Sequence, residues 1–522
     1  MREPRARGGP GRKSRKMKHR SSPEERYAEV IRRQREISLL ESCEELLSWD
    51  EDTFMPRAGV ANRGDQQALL AGIRHGRATD PELGELLLSL EGDAARDPEA
   101  ALSVNVRELR RRHDRLARIP LALFQEMART VAFAEEEWGI AFRDDDFPRF
   151  EPWLEKIVRL KREEARAIGF AGEAYDALLD EYEPGATSAE LDALFAELRP
   201  ELGALLARLG RSRRRPKRAL LARDFPVDRQ KIFGEAIATA LGFDFHAGRL
   251  DVTIHPFFSK IGRGDCRIAT LYAADSFGKG LFAIIHEVGH ALYEQGLDPV
   301  HDGTPLGEAA SLGLHESQAR LWENLVARSR PFWSHFFPLA REIFHGSLRG
   351  VNLDDFHLAL SAAGPTLIRA QADQVTYNLH ILVRFEIERA LIAGSLEARD
   401  VPAAWNEAYR KHLGIAPATD REGCLQDGHW GAGMFGYFPV YTLGDVWGAQ
   451  LFAKASKDLP ALDEDIGKGS FGGLLGWLRD NVHRHGSRWP AAKIVERATG
   501  KPPGIRPLME HLGKRYGELY GV

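Results

Sequence analysis

The spacing of apolar residues is the sequence feature that restricts the fold most. Over most of the chain, apolar residues recur at the three- and four-residue steps of an α-helix. From about Pro23 onwards, apolar residues such as Ile31, Leu39 and Leu46 are spaced to form one buried stripe among Arg and Glu. A single stretch, at about 250–272, instead carries β-branched and aromatic residues around a Gly-rich turn, which predicts a short β-hairpin. The sequence therefore predicts a mainly α fold with one small β element. Further helices are predicted at about 82–91, 101–135, 152–170, 188–210 and 226–241.

The length and composition are those of one large globular body. The chain has 522 residues, of which 43% are hydrophobic, and this is enough to bury a large core. No linker-like change of composition divides the chain, so residues 23–522 are predicted to form a single helical domain. Residues 1–22 are basic, contain Gly, Pro and Ser, and have no apolar block. They are predicted to be a disordered tail rather than a secretory signal.

Charge, hydropathy and cysteine content argue against several classes of partner. The formal net charge is only −4, and charged residues of both signs make up 28% of the chain, which indicates an ordinary solvated surface. The basic run Arg211–Arg218 contains Pro216 and is predicted to be an exposed loop, so nucleic-acid binding is not expected as the main function. No stretch is apolar over the about 20 residues that a membrane-spanning helix needs. Cys43, Cys266 and Cys424 lie far apart, so no disulfide framework is predicted and a reducing, cytoplasmic compartment is expected.

The motif HEVGH lies inside a strongly apolar helical segment at 275–296. His286 and His290 stand four residues apart, so a helix projects both imidazoles from the same face, where they can bind one ion. Glu287 is one step around the helix, placed to reach a water molecule activated by that ion. These residue types at this spacing predict hydrolytic zinc chemistry, in which the ion lowers the pKa of water and a carboxylate takes its proton. The alternative is a pair of core histidines bonded to backbone carbonyls.

A third metal ligand is predicted in the next apolar helical segment. Glu316 lies there, and packing of the two helices would bring its carboxylate back to the two histidines. His315 precedes it, and neighbours on a helix point about 100° apart, so only one of the two can face the ion well. Glu316 is therefore predicted as the ligand, and His315 as a contact of another ligand or of the substrate. The alternative for both is a polar position on the surface of an amphipathic helix.

A helix predicted at about Thr366–Ala393 has a polar face rich in functional groups. Arg369 and Arg384 lie on this face together with a tyrosine and a histidine, and with little Glu or Lys. A guanidinium offers a planar pair of donors that suits the terminal carboxylate of a peptide. This face is predicted to form the wall of a cleft, and the alternative is an ordinary solvated surface.

The segment GCLQDGHWGAGMFGYFPVY, at 423–441, places glycines among aromatic residues. Such a composition is typical of a loop whose backbone approaches a ligand closely. His429 and Tyr437 in this segment are predicted to donate hydrogen bonds to the oxygen that becomes negative during hydrolysis. The alternative is that both rings pack against the core.

Six short motifs occur in the order found in one known family. The motifs are HPF at 255–257, a DxRxT-like segment from Asp265, HExxH at 286–290, HESQ at 315–318, an IRxxADE-like segment at 368–374 and GxxQDxHW at 423–430. The chain resembles the carboxypeptidase Taq family of zinc metallocarboxypeptidases. The resemblance extends from about residue 24 to the C-terminus.

The resemblance implies a helical body with a long, deep groove, a homodimer, and removal of residues from the free C-terminus of peptides. Broad preference is implied, with prolyl ends as poor substrates. Zn²⁺ is the expected ion, with Co²⁺ as an alternative. The resemblance places Arg369 first among candidates for binding the terminal carboxylate, ahead of Arg384 and Arg267, and adds His255 as a substrate contact.

The chain departs from the motifs of this family at two positions. Ala269 stands where the DxRxT pattern has threonine, and Gln374 stands where the ADE segment has glutamate. Two rival functions stay open on the sequence alone. An oligopeptidase of the same architecture would cut internal bonds, and a scaffold without activity would only bind partners.

Overall fold

The computed structural model describes residues 21–522, and helices dominate this part of the chain. The first helices are α1 Pro23–Thr53, α2 Val60–Ala78, α3 Pro81–Ala94, α4 Ala101–Arg118, α5 Leu121–Asp144, α6 Phe147–Ile168, α7 Ala174–Tyr182, α8 Ser188–Gly210 and α9 Val227–Leu241. After the sheet follow α10 Gly278–Glu294, α11 Leu312–Arg320, α12 Arg330–Ile343, α13 Leu353–Leu360, α14 Tyr377–Ala393, α15 Val401–Leu413, α16 Pro439–Asp458, α17 Leu462–Gly467, α18 Gly472–Asn481, α19 Ala491–Thr499 and α20 Arg506–Tyr520. The predicted mainly α class is confirmed.

The helix ends follow local signals in the sequence. Ser22 caps α1, because its hydroxyl accepts from the Glu25 backbone N–H while the Glu25 carboxylate accepts from the Ser22 N–H. The helix predicted at 101–135 is wrong, since the chain leaves the helix at Ile119, directly before Pro120. Proline disfavours helical backbone at the residue before it, and the second helix starts anew at Leu121. The predicted basic tail falls almost entirely on residues 1–20, which lie outside the described residues.

The small β element is a three-stranded sheet rather than a hairpin alone. Strands β1 Gly248–Val252, β2 Phe257–Gly262 and β3 Asp265–Thr270 are arranged in the order β1-β3-β2. β2 and β3 form the antiparallel hairpin around Gly264, whose φ of 75° suits a residue without a side chain. The hairpin predicted over about 250–272 is therefore incomplete, because β1 ends before Pro256 and pairs in parallel with β3.

Two clusters of buried apolar side chains form the interior. The large one includes residues from α5 to α20, among them Phe277, Trp322 and Trp333. A smaller one joins α1, α3 and α4 through residues such as Val30 and Leu87. The single domain predicted for residues 23–522 stays a prediction. No helix within residues 21–522 combines the length and apolar character needed to cross a bilayer.

Close helix contacts bring the HEVGH segment next to Glu316. α10 packs beside α11, and a side chain at Gly289 would place its Cβ 2.6 Å from the Ala319 Cα. On the other side of α11, a Cβ at Gly444 of α16 would lie 2.5 Å from the Glu316 Cγ. Both positions therefore require glycine. The two glycines allow α11 to pack closely against both α10 and α16.

Candidate metal centre and active site

The side chains of His286, His290 and Glu316 converge on one point. A nitrogen or oxygen of each lies within 4.8 Å of the others. Glu316 Oε2 is 3.6 Å from His286 Nε2 and 3.6 Å from His290 Nε2. Ligands bonded to one tetrahedral ion at about 2.0–2.2 Å stand roughly 3.3–3.6 Å apart. The three groups therefore fit a single divalent cation.

His286 is oriented by a carboxylate behind it. Its Nδ1 is 3.1 Å from Glu323 Oε2, so Nδ1–H donates to Glu323 while Nε2 faces the other ligands. Glu323 lies on a π-helical turn, Leu321–Val326, which continues directly from α11. Such turns are rare and often mark functional sites, and this one carries the carboxylate that His286 contacts. One helix thus supplies both a ligand and the group that fixes another ligand.

His290 is oriented by a longer chain of polar groups. Its Nδ1 lies 2.6 Å from His315 Nδ1, and His315 Nε2 lies 3.1 Å from Glu294 Oε1. If His290 Nε2 is to bind a cation, its Nδ1 carries the proton and donates to His315, which then donates to Glu294. Lys260 of β2 ends the chain, 2.6 Å from Glu294 Oε2. His315 therefore contacts a ligand, which was one of the two roles expected for it.

Glu316 presents one carboxylate oxygen to the histidines because the other is occupied. Arg320, one helical turn further along α11, donates to Glu316 Oε1 over 2.7 Å. The guanidinium lies over the Tyr377 ring at 4.0 Å, and the Arg320 side chain is only 12% exposed. This arrangement leaves Oε2 free to bind a cation.

Glu287 is buried beside the three converging groups. It is 7% exposed, and burial raises the pKa of its carboxyl to about 7. A cation held by the neighbouring ligands favours the ionised form of this carboxyl. Glu287 can therefore accept a proton near neutral pH.

Arg369 lies outside any long helix. The predicted helix over 366–393 is wrong in its first part, since α14 begins only at Tyr377. The Asp373 carboxylate accepts from the backbone N–H groups of Val375 and Thr376, and this local turn replaces the helical hydrogen bonds. Arg369 itself lies on a short 3₁₀ turn.

Asp427 holds both arginines of the predicted clamp. Arg369 donates to Asp427 Oδ1 through Nε and Nη2, at 3.1 and 2.7 Å, and to the Tyr377 hydroxyl through Nη1 at 2.9 Å. Arg384 lies behind it with no exposed side-chain surface, and donates to Asp427 Oδ2 and to Gln426. The expectation that Arg384 contacts substrate directly is therefore at odds with its burial. Its contacts instead hold Asp427 against Arg369.

The other two predicted substrate contacts lie apart from this cluster. Arg267 on β3 is paired with Asp265 at 2.7 Å, and its guanidinium stacks on the Trp49 ring at 4.2 Å. His255 is exposed in the turn between β1 and β2. Three residues further on, directly after the HPF motif, the Phe258 ring lies 6.0 Å from the His290 ring. Phe258 rather than His255 therefore reaches the ligands.

His429 and Tyr437 lie together in an aromatic cluster beside Arg369. Their ring centroids are 5.4 Å apart, and Tyr437 packs in turn on Tyr441 at 5.4 Å. Burial lowers the pKa of His429 to about 4, so the ring is neutral at physiological pH. Burial, together with the charge of Glu316, raises the pKa of Tyr437 to about 12. Tyr437 therefore keeps its hydroxyl proton and can donate it in a hydrogen bond.

The chain matches the family described as carboxypeptidase Taq (M32) metallopeptidase over residues 29–516. The chain belongs to the M32 metallopeptidases. It is 47% identical over 511 residues to thermostable carboxypeptidase 1 of Thermus thermophilus, covering 96% of this chain and 100% of that protein. It is 36% identical over 500 residues to carboxypeptidase 1 of Bacillus subtilis, covering 95% of this chain and 98% of that protein.

A solved structure supports the same assignment. The crystal structure of the M32 carboxypeptidase from Deinococcus radiodurans R1 superposes with a TM-score of 0.91 at 40% identity, covering 95% of this chain and all of that one. Membership of the M32 family makes this chain a peptide hydrolase that depends on a metal ion. The fold and the family suggested by the sequence motifs are confirmed.

Sequence reasoning missed four polar residues of this M32 site. Glu294 follows His290 by four residues, and Arg320 and Glu323 follow Glu316 by four and seven. These intervals place them on the same helix faces as the ligands, so the spacing was a usable signal. Asp427 belongs to the GxxQDxHW motif, but helical spacing gave no sign of its role, because its partner Arg369 lies 58 residues earlier in the chain.

Proposed function

We propose that this chain is a zinc-dependent metallocarboxypeptidase that releases amino acids from the free C-terminus of peptides. The convergence of His286, His290 and Glu316 supports this proposal most strongly. Glu316 Oε2 lies 3.6 Å from the Nε2 atom of each histidine. Two nitrogens and one oxygen around an open position are the ligands typical of catalytic zinc. The family supports a metal-dependent peptide hydrolase.

The chemistry divides between the ion and the buried carboxylate. Zinc at these ligands would supply Lewis acidity to the scissile carbonyl and to the attacking water. Glu287 takes a proton from that water and delivers it to the leaving amine. Its burial against the ligands keeps its carboxyl close to the reaction and shields it from bulk solvent.

Arg369 is the proposed clamp for the terminal carboxylate of the substrate. Its contacts to Asp427 and Tyr377 use three of five guanidinium N–H groups and leave two for a ligand. Its side chain is 11% exposed, whereas Arg384 is fully enclosed. Asp427 and Arg384 therefore act as positioning residues for Arg369.

Tyr437 and His429 are proposed as donors to the carbonyl oxygen as negative charge develops on it. The raised pKa of Tyr437 and the charge of nearby Glu316 both keep the hydroxyl protonated. His429 is neutral, so one ring nitrogen carries a proton that it can donate. The Tyr441 hydroxyl lies 3.5 Å from His429 Nε2, and the Tyr441 ring packs against that of Tyr437.

A peptide with a free C-terminus and the same peptide as an amide distinguish this function from its rivals. We expect mass spectrometry to detect a ladder of products shortened from the free C-terminus and little change in the amide. Equal cleavage of both peptides would favour an oligopeptidase that cuts internally. No cleavage by protein with a full complement of zinc would favour a scaffold without activity.

Several finer properties remain predictions from the resemblance and from composition. They are broad side-chain preference with poor action on prolyl ends, a homodimer, Co²⁺ as an alternative ion, and a cytoplasmic location.

A further inference from the structure

A large cavity lies against α20, apart from the metal centre. Its volume is about 870 Å³, which is in the range of small-molecule sites. The last turns of α20, the end of the π turn at Leu325 and the basic loop at 214–215 contribute to its walls. None of the ligands or catalytic candidates lines it. We call it the α20 cavity.

Arg515 is a half-buried cation on the wall of this cavity, and its hydrogen bonds go to neutral groups. Its guanidinium donates to the carbonyl oxygens of Asn324 and Leu325, and to Gln374 Oε1 over 3.1 Å. Within residues 21–522 it forms no ion pair, and Asp463 on the cavity wall acts on it only as a charge beyond ion-pair distance. Burial lowers the pKa of Arg515 to about 10, as expected for a charge that neutral groups only partly compensate. A charge that is poorly solvated in this way is stabilised when an anion joins it.

Two histidines add ring nitrogens that lack partners. His357 is 3% exposed, and its Nε2 lies 3.0 Å from the Arg328 carbonyl oxygen, to which it donates. Its Nδ1 is buried and has no hydrogen-bond partner among residues 21–522, and the same holds for Nε2 of His511. Both rings line the α20 cavity. A ligand with a hydroxyl can donate to the free lone pair of His357 Nδ1.

The charges of the cavity wall are unbalanced towards positive. Asp354 and Asp355 are already paired with Arg330 and Lys217, at 2.5 and 2.9 Å. Arg214 donates to backbone carbonyls at the end of α20 rather than to an acid. Among residues 21–522, four cations that line the cavity form no ion pair. Only two acids of the wall, Asp463 and Glu518, are likewise without an ion pair. The four cations are Arg214, Arg215, Lys514 and Arg515.

We propose that the α20 cavity binds a phosphate group, either free or as part of a small phosphomonoester. Arg515 donates to its charged oxygens, because a planar pair of N–H groups matches two phosphate oxygens. The protonated oxygen of the phosphate donates to His357 Nδ1. Lys514 and the arginines of the 214–215 loop supply the surrounding positive potential. The proposal does not depend on the peptidase function.

Calorimetric titration of the intact protein tests this site in a buffer free of phosphate. We expect inorganic phosphate and ribose 5-phosphate to bind at one site per chain. Tighter binding of the ester would identify a phosphorylated metabolite as the ligand, and equal binding would identify free phosphate. Absence of binding by either probe up to millimolar concentration would overturn the proposal.

The decisive variant is Gln374→Glu. It places a carboxylate beside Arg515 with almost no change of shape, so the guanidinium no longer needs an external anion. We expect phosphate to bind about tenfold more weakly or worse, which corresponds to about 1.4 kcal/mol. Gln125→Glu makes the same change of charge at an exposed position of α5 and should bind phosphate as the wild type does.

Unchanged binding in a folded Gln374→Glu variant would contradict the proposal. If that variant does not fold, the exposed Lys514→Ala replaces it, since it alters only the mouth of the cavity. Weaker binding by Lys514→Ala supports the site. Binding equal to that of the wild type would contradict it.

Discussion

His286 and His290 are equivalent in the motif but differ in their surroundings. His286 donates to a carboxylate, Glu323, whereas His290 donates to a second imidazole, that of His315, which is itself held by Glu294. A carboxylate acceptor increases the electron density of an imidazole more than an imidazole acceptor does. His286 is therefore expected to be the stronger ligand of the two.

Replacing Glu287 by glutamine separates metal binding from catalysis. The change removes the proposed proton acceptor and leaves all three ligands in place, so zinc content should persist while turnover falls at least about a hundredfold. Glu183→Gln is a matched control, because burial raises the pKa of Glu183 to about 8 and this carboxyl is already neutral at pH 7. Zinc content and initial rates on a free-ended peptide measure both effects. Turnover of Glu287→Gln close to the wild-type rate would exclude this role.

Replacing Glu323 by alanine tests the orientation of His286. Loss of the hydrogen-bond acceptor leaves the imidazole free to rotate, so zinc affinity should fall by roughly 10- to 100-fold. Glu397→Ala removes an exposed carboxylate paired with Arg399 and should change nothing. Competition with a chromophoric chelator measures the affinities. An unaltered affinity in Glu323→Ala would mean that packing alone fixes the ring.

At the scale of elements, the site depends on how closely α11 approaches α10 and α16. The helices themselves arise from local sequence, but the distance between them depends on glycines at two contact points. The Glu316 side chain has room only because Gly444 lacks one. The affinity for the metal is therefore encoded partly in residues that never touch it.

Gly444→Ala tests this dependence. The added Cβ would lie 2.5 Å from Glu316 Cγ, so the carboxylate must move and zinc affinity should fall about tenfold or more. Gly476→Ala on α18 meets open space and should leave the affinity intact. Equal zinc affinities in the two variants, measured by the same chelator competition, would show that Glu316 adapts.

The start of α11 also makes stability depend on pH. Glu183 accepts from the Gly313 backbone N–H at this end, and burial raises its folded pKa from 4.5 to about 8. The contribution of the protonated carboxyl to the free energy of unfolding is complete below pH 4.5 and is lost as pH rises through 8. Denaturant unfolding should therefore show that the free energy of unfolding of the wild type is lower at pH 8.5 than at pH 5, by on the order of 3 kcal/mol. The Glu183→Gln variant should lack this decrease. The same loss in both proteins would assign it to other groups.

The sequence predicted elements and ligands where short-range patterns carry the information. Spacing of four residues placed His286 and His290 on one face, and the neighbouring helix supplied Glu316 as a candidate. Pairing across long intervals carried no such pattern. The parallel pairing of β1 with β3 and the contact of Arg384 with Asp427 each depend on the fold. For this reason the sequence pattern placed Arg384, which is buried, on the wall of a cleft.

At the scale of the whole molecule, the N-terminal helices form a distinct part of the interior. α1, α3 and α4 have their own apolar cluster, and polar contacts join them to the catalytic half. Ser259 of β2 donates to Glu45 of α1 over 2.8 Å, and Arg112 of α4 pairs with Glu308 at 2.7 Å. The sheet therefore connects α1 to the chain of groups behind His290, since β2 also carries Lys260.

Diffraction at the zinc absorption edge locates a bound zinc ion directly. We expect one anomalous peak per chain, within about 2.0–2.2 Å of His286 Nε2, His290 Nε2 and Glu316 Oε2. The peak should vanish in His290→Ala crystals. A zinc-loaded crystal with no peak at these three atoms, or with its peak elsewhere, would show that they do not form the zinc site.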